Sequence, residues 1–201
     1  MVATVSVYYD YGGVDGTPAT SVDIDPLGPP TLRFKNADNA TIDTNDKVTI
    51  PTAGGGPNYS YIKQIYLHCD NPDGHVITNV KLYSDGTNGY GTGIDLMVGL
   101  QFPTRYYDAA ADVYTGYEVS NNANEMVTEH GGITSSASIF NYTSASPLAV
   151  SINALQSAPP GSQIDAAHET TNYVCLQANI SNTASIESTA SETFYWAYTE
   201  A

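Results

Sequence analysis

Short runs of period-two alternation, cut by glycine, proline and asparagine turns, decide what this chain can fold into. Residues 2–9 set Val2, Thr4, Ser6 and Tyr8 against Ala3, Val5, Val7 and Tyr9. That is the pattern of a half-buried strand rich in β-branched and aromatic residues. Similar runs recur at 31–35, 48–50, 60–69, 76–83, 94–100, 138–143, 148–152, 173–180 and 193–198. Breakers separate them at 11–18, 25–30, 54–57, 85–93 and Pro159-Pro160-Gly161. Asn71-Pro72-Asp73-Gly74 is a turn with a mechanism, because proline presets φ and glycine accepts a positive one. There is no strand–helix–strand alternation and no internal repeat, which argues against a parallel α/β sheet. About eight to ten short strands at regular turn spacing predict an all-β fold, a β-sandwich or jelly roll. Residues 1–201 read as a single domain of this kind.

One helix is predicted, near 122–130. Asn122 can cap it, Glu125 stands at the capping-box position and Gly131 can end it. His130 then falls in its last turn. Before it, residues 101–121 carry Tyr106, Tyr107, Tyr114 and Tyr117 with few aliphatics. A segment so poor in aliphatics cannot build its own core, so these four tyrosines are the candidate contact surface.

Composition narrows the function classes. Hydrophobic residues make up 41% of the chain, so it folds. Charged residues make up 13%, about half the usual globular share of roughly 25%. Six Lys and Arg face 21 Asp and Glu, a net charge of −15. Such a surface repels phosphate backbones and anionic lipid, so neither nucleic acid nor membrane is an expected partner. Residues 1–9 have no basic start and no apolar h-region and read directly as a strand. Two cysteines, Cys69 and Cys175, are too few for a disulfide framework. They read as buried free thiols, as in a reducing compartment; a disulfide would need neighbouring strands with agreeing faces. Asn39, Asn58, Asn141 and Asn179 start glycosylation-type triplets, which chance supplies in a chain so rich in Asn, Ser and Thr.

Chemistry is sparse. No Gly-x-Ser-x-Gly elbow is present. His68, His75, His130 and His168 lie far apart, in no zinc-type spacing, and His68 reads as a strand histidine. Asp95, Asp112, Glu118 and Asp165 could supply an acid pair for glycoside hydrolysis, but nothing selects two of them. Asp43-Thr44-Asn45-Asp46 and Asp85-Gly86-Thr87-Asn88-Gly89 have calcium-loop chemistry, yet the same residues are the common turn formers. Residues 86–93 are glycine-rich but lack the phosphate-loop lysine. The reading is a non-enzymatic domain with no cofactor and no metal site.

Three stretches carry a resemblance: the terminal strand at 191–200, Leu32-Arg33-Phe34-Lys35-Asn36-Ala37-Asp38-Asn39, and Gly99-Leu100-Gln101-Phe102-Pro103-Thr104. With the Tyr/Thr/Asn/Ser-rich strands and the acidic balance, the chain resembles virion structural proteins, such as capsid-decoration and tail or fibre domains. The resemblance implies a place in a virion and assembly as a homo-oligomer or on a lattice of capsid or tail proteins. It transfers no functional residue. An extracellular glycan-binding or adhesive module, calcium-assisted, is the alternative that suits the same composition.

Overall fold

A computed structural model describes residues 2–14, 17–24, 32–41, 43–100, 106–108, 113–117, 119–129, 132–133, 135–153, 163–185 and 191–201. In chain order the strands are β1 (Thr4–Val14), β2 (Thr17–Asp23), β3 (Asn58–Tyr59), β4 (Lys63–Asn71), β5 (Ile77–Tyr83), β6 (Ile94–Leu100), β7 (Tyr106–Asp108) and β8 (Val113–Thr115). A single helical turn, α1 (Met126–Glu129), precedes β9 (Ser135–Ser138), β10 (Leu148–Ala149), β11 (Ile152–Asn153), β12 (Gln163–Ile164), β13 (Thr170–Thr171), β14 (Val174–Ile180) and β15 (Tyr195–Glu200).

Among the described residues every pairing is antiparallel, and the strands form two main sheets. In the larger sheet, β4 has β1 along one edge, with β2 beyond it, and β13 and β14 along the other. The sheet continues through β14 to β6 and β9. In the smaller sheet, β5 lies between β15 on one side and β10 and β12 on the other. The architecture is all-β and sandwich-like, as the alternation predicts. Both outermost strands in sequence, β1 and β15, pair within the chain itself.

The register explains the layers, because paired residues share a face. Ile65, Leu67 and Cys69 of β4, Val174, Leu176 and Ala178 of β14, and Leu96 and Val98 of β6 point inward. They meet Ile77, Val80 and Leu82 of β5 and Ile164 of β12. Ile77 and Val80 are three apart, which a regular period-two strand cannot place on one face. Asn79 between them adopts φ 60°, and the register against β15 shifts between Ala197 and Thr199. This bulge, at a residue type that tolerates the left-handed region, turns Val80 back to the core.

The opposite face of the larger sheet is also covered. Cys175 packs there with Ile62, Met126 and Ile133. Gln177 orients the cover by accepting from the Met126 N–H at 2.8 Å and donating to Ser60 O at 3.0 Å. The two cysteines are therefore buried on opposite faces of one sheet and do not pair with each other. Burial pushes the Cys69 thiol up to about 11, which keeps it unreactive.

Several local expectations are corrected. The short helix expected near 122–130 forms, as the turn Met126–Glu129, but its capping differs. Glu125 takes a hydrogen bond from Ser136 Oγ, and Asn122 donates its amide to Asn36, so neither forms the capping box. His130 and Gly131 lie outside the described residues. The described part of 31–35 and all of 48–50 join no ladder, although Leu32 and Phe34 still pack on the core. Residues Ile139–Asn141 form a 3-10 turn that buries Ile139 and Phe140 instead of continuing a strand. The Asn71–Gly74 turn forms as read, with Asp73 and Gly74 at φ 50° and 82°.

Gly99 on β6 makes room for the α1 cover: a Cβ there would lie 2.9 Å from Met126 Sδ and 3.3 Å from Cys175 Cβ. Gly99→Ala should destabilise the fold by about 1–3 kcal/mol through overpacking. Equilibrium urea unfolding checks this, and an unchanged midpoint would remove α1 docking as the reason for the glycine.

Candidate functional site

The chain places its polar chemistry along β1 and β4, around two carboxylates that the fold withdraws from water. Asp10 of β1 is 1% exposed. Its register partner Gln64 puts it on the outer face of the larger sheet. Tyr66 of β4 donates to Asp10 Oδ1 at 3.1 Å, Ser21 of β2 donates to the same oxygen, and Tyr173 donates to Oδ2. A buried carboxylate is costly unless hydrogen-bonded, and charge-assisted bonds to three hydroxyls offset that cost. The rings that carry two of them interlock: Tyr8 stacks on Tyr66 at 5.9 Å, and Tyr173 meets Tyr66 edge-on at 5.7 Å.

Asp38 is the second carboxylate. Tyr117 Oη donates to its Oδ2 at 2.6 Å and the Gly12 N–H donates to the same oxygen at 2.8 Å. Lys63, at the start of β4 and 1% exposed, lies on the inner face, since its partner there is Leu176. Its Nζ stands 3.7 Å from Asp38 Oδ1, donates to Ala37 O at 3.4 Å and lies 5.8 Å from the centroid of the Tyr9 ring. Burial pushes the Lys63 ammonium down to about 8; Asp38 opposes the shift and Lys35 adds to it. The same burial pushes the Tyr9 phenol up to about 12. Lys35 is buried as well, donating to Asn39 Oδ1 and Thr41 O with Asp46 Oδ2 at 3.5 Å.

The four candidate contact tyrosines divide. β7 and β8 form their own two-stranded ladder, with Tyr107 opposite Tyr114 and Tyr106 opposite Thr115, and β8 lies beside β2. The side chains of Tyr106, Tyr107 and Tyr114 lie outside the described residues. Tyr117 is not part of an exposed surface: it is 1% exposed and packs with Tyr66 and Tyr173. The reason is Asp38, which draws the phenol inward. Sequence cannot distinguish a tyrosine that presents its ring to a partner from one that spends its hydroxyl on a distant carboxylate.

The remaining candidates serve local structure. Asp43 caps the 3-10 turn Thr44–Asp46 by accepting from the Asn45 N–H at 2.8 Å. Asp85 and Asn88 accept from the Thr87 and Tyr90 N–H groups at 2.8 and 3.0 Å, as turn formers do. Among the described residues no group of three or more His, Cys, Asp or Glu is arranged to hold a metal ion. Asp95 accepts from Ser138 Oγ at 2.7 Å in the larger sheet, and Asp165 accepts from the Gln163 amide at 2.6 Å beside the smaller one. Asp112 and Glu118 lie outside the described residues.

One juxtaposition escaped the sequence: the rings of His68 and His168, 100 residues apart in the numbering, lie 6.0 Å from each other. His68 Nδ1 is 2.9 Å from Asp70 Oδ1, and Ser6 Oγ donates to Asp70 Oδ2 at 2.6 Å. The carboxylate thus sits between serine and histidine, whereas a nucleophilic triad needs the imidazole on the hydroxyl.

Asp10→Ala should cost about 3–5 kcal/mol, because it leaves three hydroxyls without their acceptor, and Tyr173→Phe about 1.5–3 kcal/mol. Urea unfolding at neutral pH measures both; an Asp10→Ala protein as stable as the parent would show that the network does not hold the sheet. No family model, no curated protein and no solved structure matches the chain.

Proposed function

We propose that this protein is a non-enzymatic structural component of a virion, a capsid-decoration or other particle-surface protein that works through contacts with capsid or tail proteins and with copies of itself. The observation that carries the reading is the β7–β8 ladder. It belongs to neither sheet, its two strands contain Tyr106, Tyr107 and Tyr114, and the chain leaving it is anchored two residues later by Tyr117 on Asp38. Tyrosine supplies large contact area at low entropic cost, and an anchored element loses little freedom on docking. The low charge density suits flat polar contacts, and the net charge of −15 would keep assembled particles apart.

The test is light scattering over a concentration series, with and without calcium, on the parent and on Tyr106→Ala/Tyr107→Ala/Tyr114→Ala. A discrete closed oligomer that the triple variant dissociates, with unfolding unchanged, is the expected result. A monomer retained on a polysaccharide column, and released by chelator, would sink this reading in favour of a calcium-assisted extracellular glycan-binding module.

A further inference from the structure

Lys63 and Asp38 are set up for more than an ion pair. The amine is 1% exposed on the inner face of β4, and burial with a second ammonium nearby makes its neutral form accessible near pH 8. The carboxyl is held asymmetrically. Oδ2 carries both donors, Tyr117 Oη at 2.6 Å and the Gly12 N–H at 2.8 Å. Oδ1 is buried, has no hydrogen-bond partner, and faces Lys63 Nζ at 3.7 Å. Two preorganised donors on one oxygen form the arrangement that stabilises a tetrahedral oxyanion. The other oxygen, free of donors and next to the amine, is the one placed to leave.

We propose that Lys63 Nζ and Asp38 Cγ join in an intramolecular isopeptide bond. Proton transfer inside the ion pair turns ammonium and carboxylate into amine and carboxylic acid. The Nζ lone pair attacks Cγ, and negative charge collects on Oδ2 against Tyr117 and Gly12. A second proton passes from nitrogen to Oδ1, the Cγ–Oδ1 bond breaks, and Oδ1 leaves as water. The amide keeps one proton on nitrogen and regains the double bond to Oδ2. The ion pair already contains every atom needed, with no oxidant, activated donor or cofactor.

The environment favours the product. Holding amine and acid together in the fold replaces a bimolecular encounter with a high effective molarity. A buried ion pair carries a desolvation penalty that a neutral amide does not. The bond would tie the segment before β3 to the central strand β4 and close the intervening loop, which restricts the unfolded chain as a disulfide does.

Intact mass and tryptic mapping of the purified parent protein, held folded at neutral pH, test this directly. The expected mass is lower than that of the sequence by one water, with peptide 36–47 joined to peptide 48–81 and no cleavage after Lys63. Lys63→Arg and Asp38→Ala should each restore the full mass, and Tyr117→Phe should slow bond formation on the order of a hundredfold. Succinimides at Asp15-Gly16, Asp73-Gly74 or Asp85-Gly86 would also lose water, but they open in mild base and persist in Lys63→Arg. Full mass with normal cleavage after Lys63 overturns the proposal, and so does a water loss that survives Lys63→Arg. The map of the parent protein decides even if a variant fails to fold.

Discussion

The structure depends on β4 being buried on both faces and paired on both edges. A central strand of this kind must satisfy every backbone group in ladders and every side chain in a packed layer. From Lys63 to Cys69, β4 approaches this with an unusual mix, while Asp70 and Asn71 at its end are exposed. Ile65, Leu67 and Cys69 fill the space between the sheets, while Gln64 and Tyr66 face the outer cover and Lys63 opens the strand. The polar members need partners brought from elsewhere. Asp10 from β1, Tyr173 from the approach to β14, and Asp38 and Tyr117 from the connecting segments all converge there. The two carboxylate networks are therefore the condition under which this sequence can place polar side chains at its centre.

That arrangement changes how the charge is distributed. Of six Lys and Arg, Lys35 and Lys63 are buried against interior or half-covered carboxylates. Their charge is spent locally on Asp46 and Asp38, so the two pairs cancel and the rest of the protein keeps the net −15 of the sequence. A protein with so few cations that places two of them inside uses charge to position its connecting segments. The described residues of 32–57 join no ladder, and the backbone contacts of Lys35, Asp38 and Asp46 take the place of a sheet in holding them.

Much of the strand content was legible because alternation and turn chemistry are local. The runs at 60–69, 76–83, 94–100 and 173–180 became β4, β5, β6 and β14 within a few residues, while the run at 2–9 became a β1 that continues to Val14, into the expected 11–18 break, and pairs with β2. The failures share a cause. Leu32 and Phe34 alternate like a strand, but they join no ladder and pack on the core without pairing. Asn122 and Glu125 have capping chemistry, but Asn36 and Ser136 claim their side chains. Val80 breaks the alternation of β5, and only the bulge at Asn79 explains its burial. In each case a contact distant in sequence outweighed a local preference of a kcal/mol or so.

By itself the sequence determined the fold class, the positions of the main strands and turns, and the acidic balance, because each follows from residues within a few positions of one another. Tertiary structure alone decided which polar groups meet. Tyr66 and Tyr173 reach Asp10 across separations of 56 and 163 residues, and Tyr117 reaches Asp38 across 79. Nothing local distinguishes these tyrosines from the other tyrosines of the chain. Their roles arise only when sheet register puts a hydroxyl beside a carboxylate that water no longer solvates, and the strength of that bond then holds the register in place.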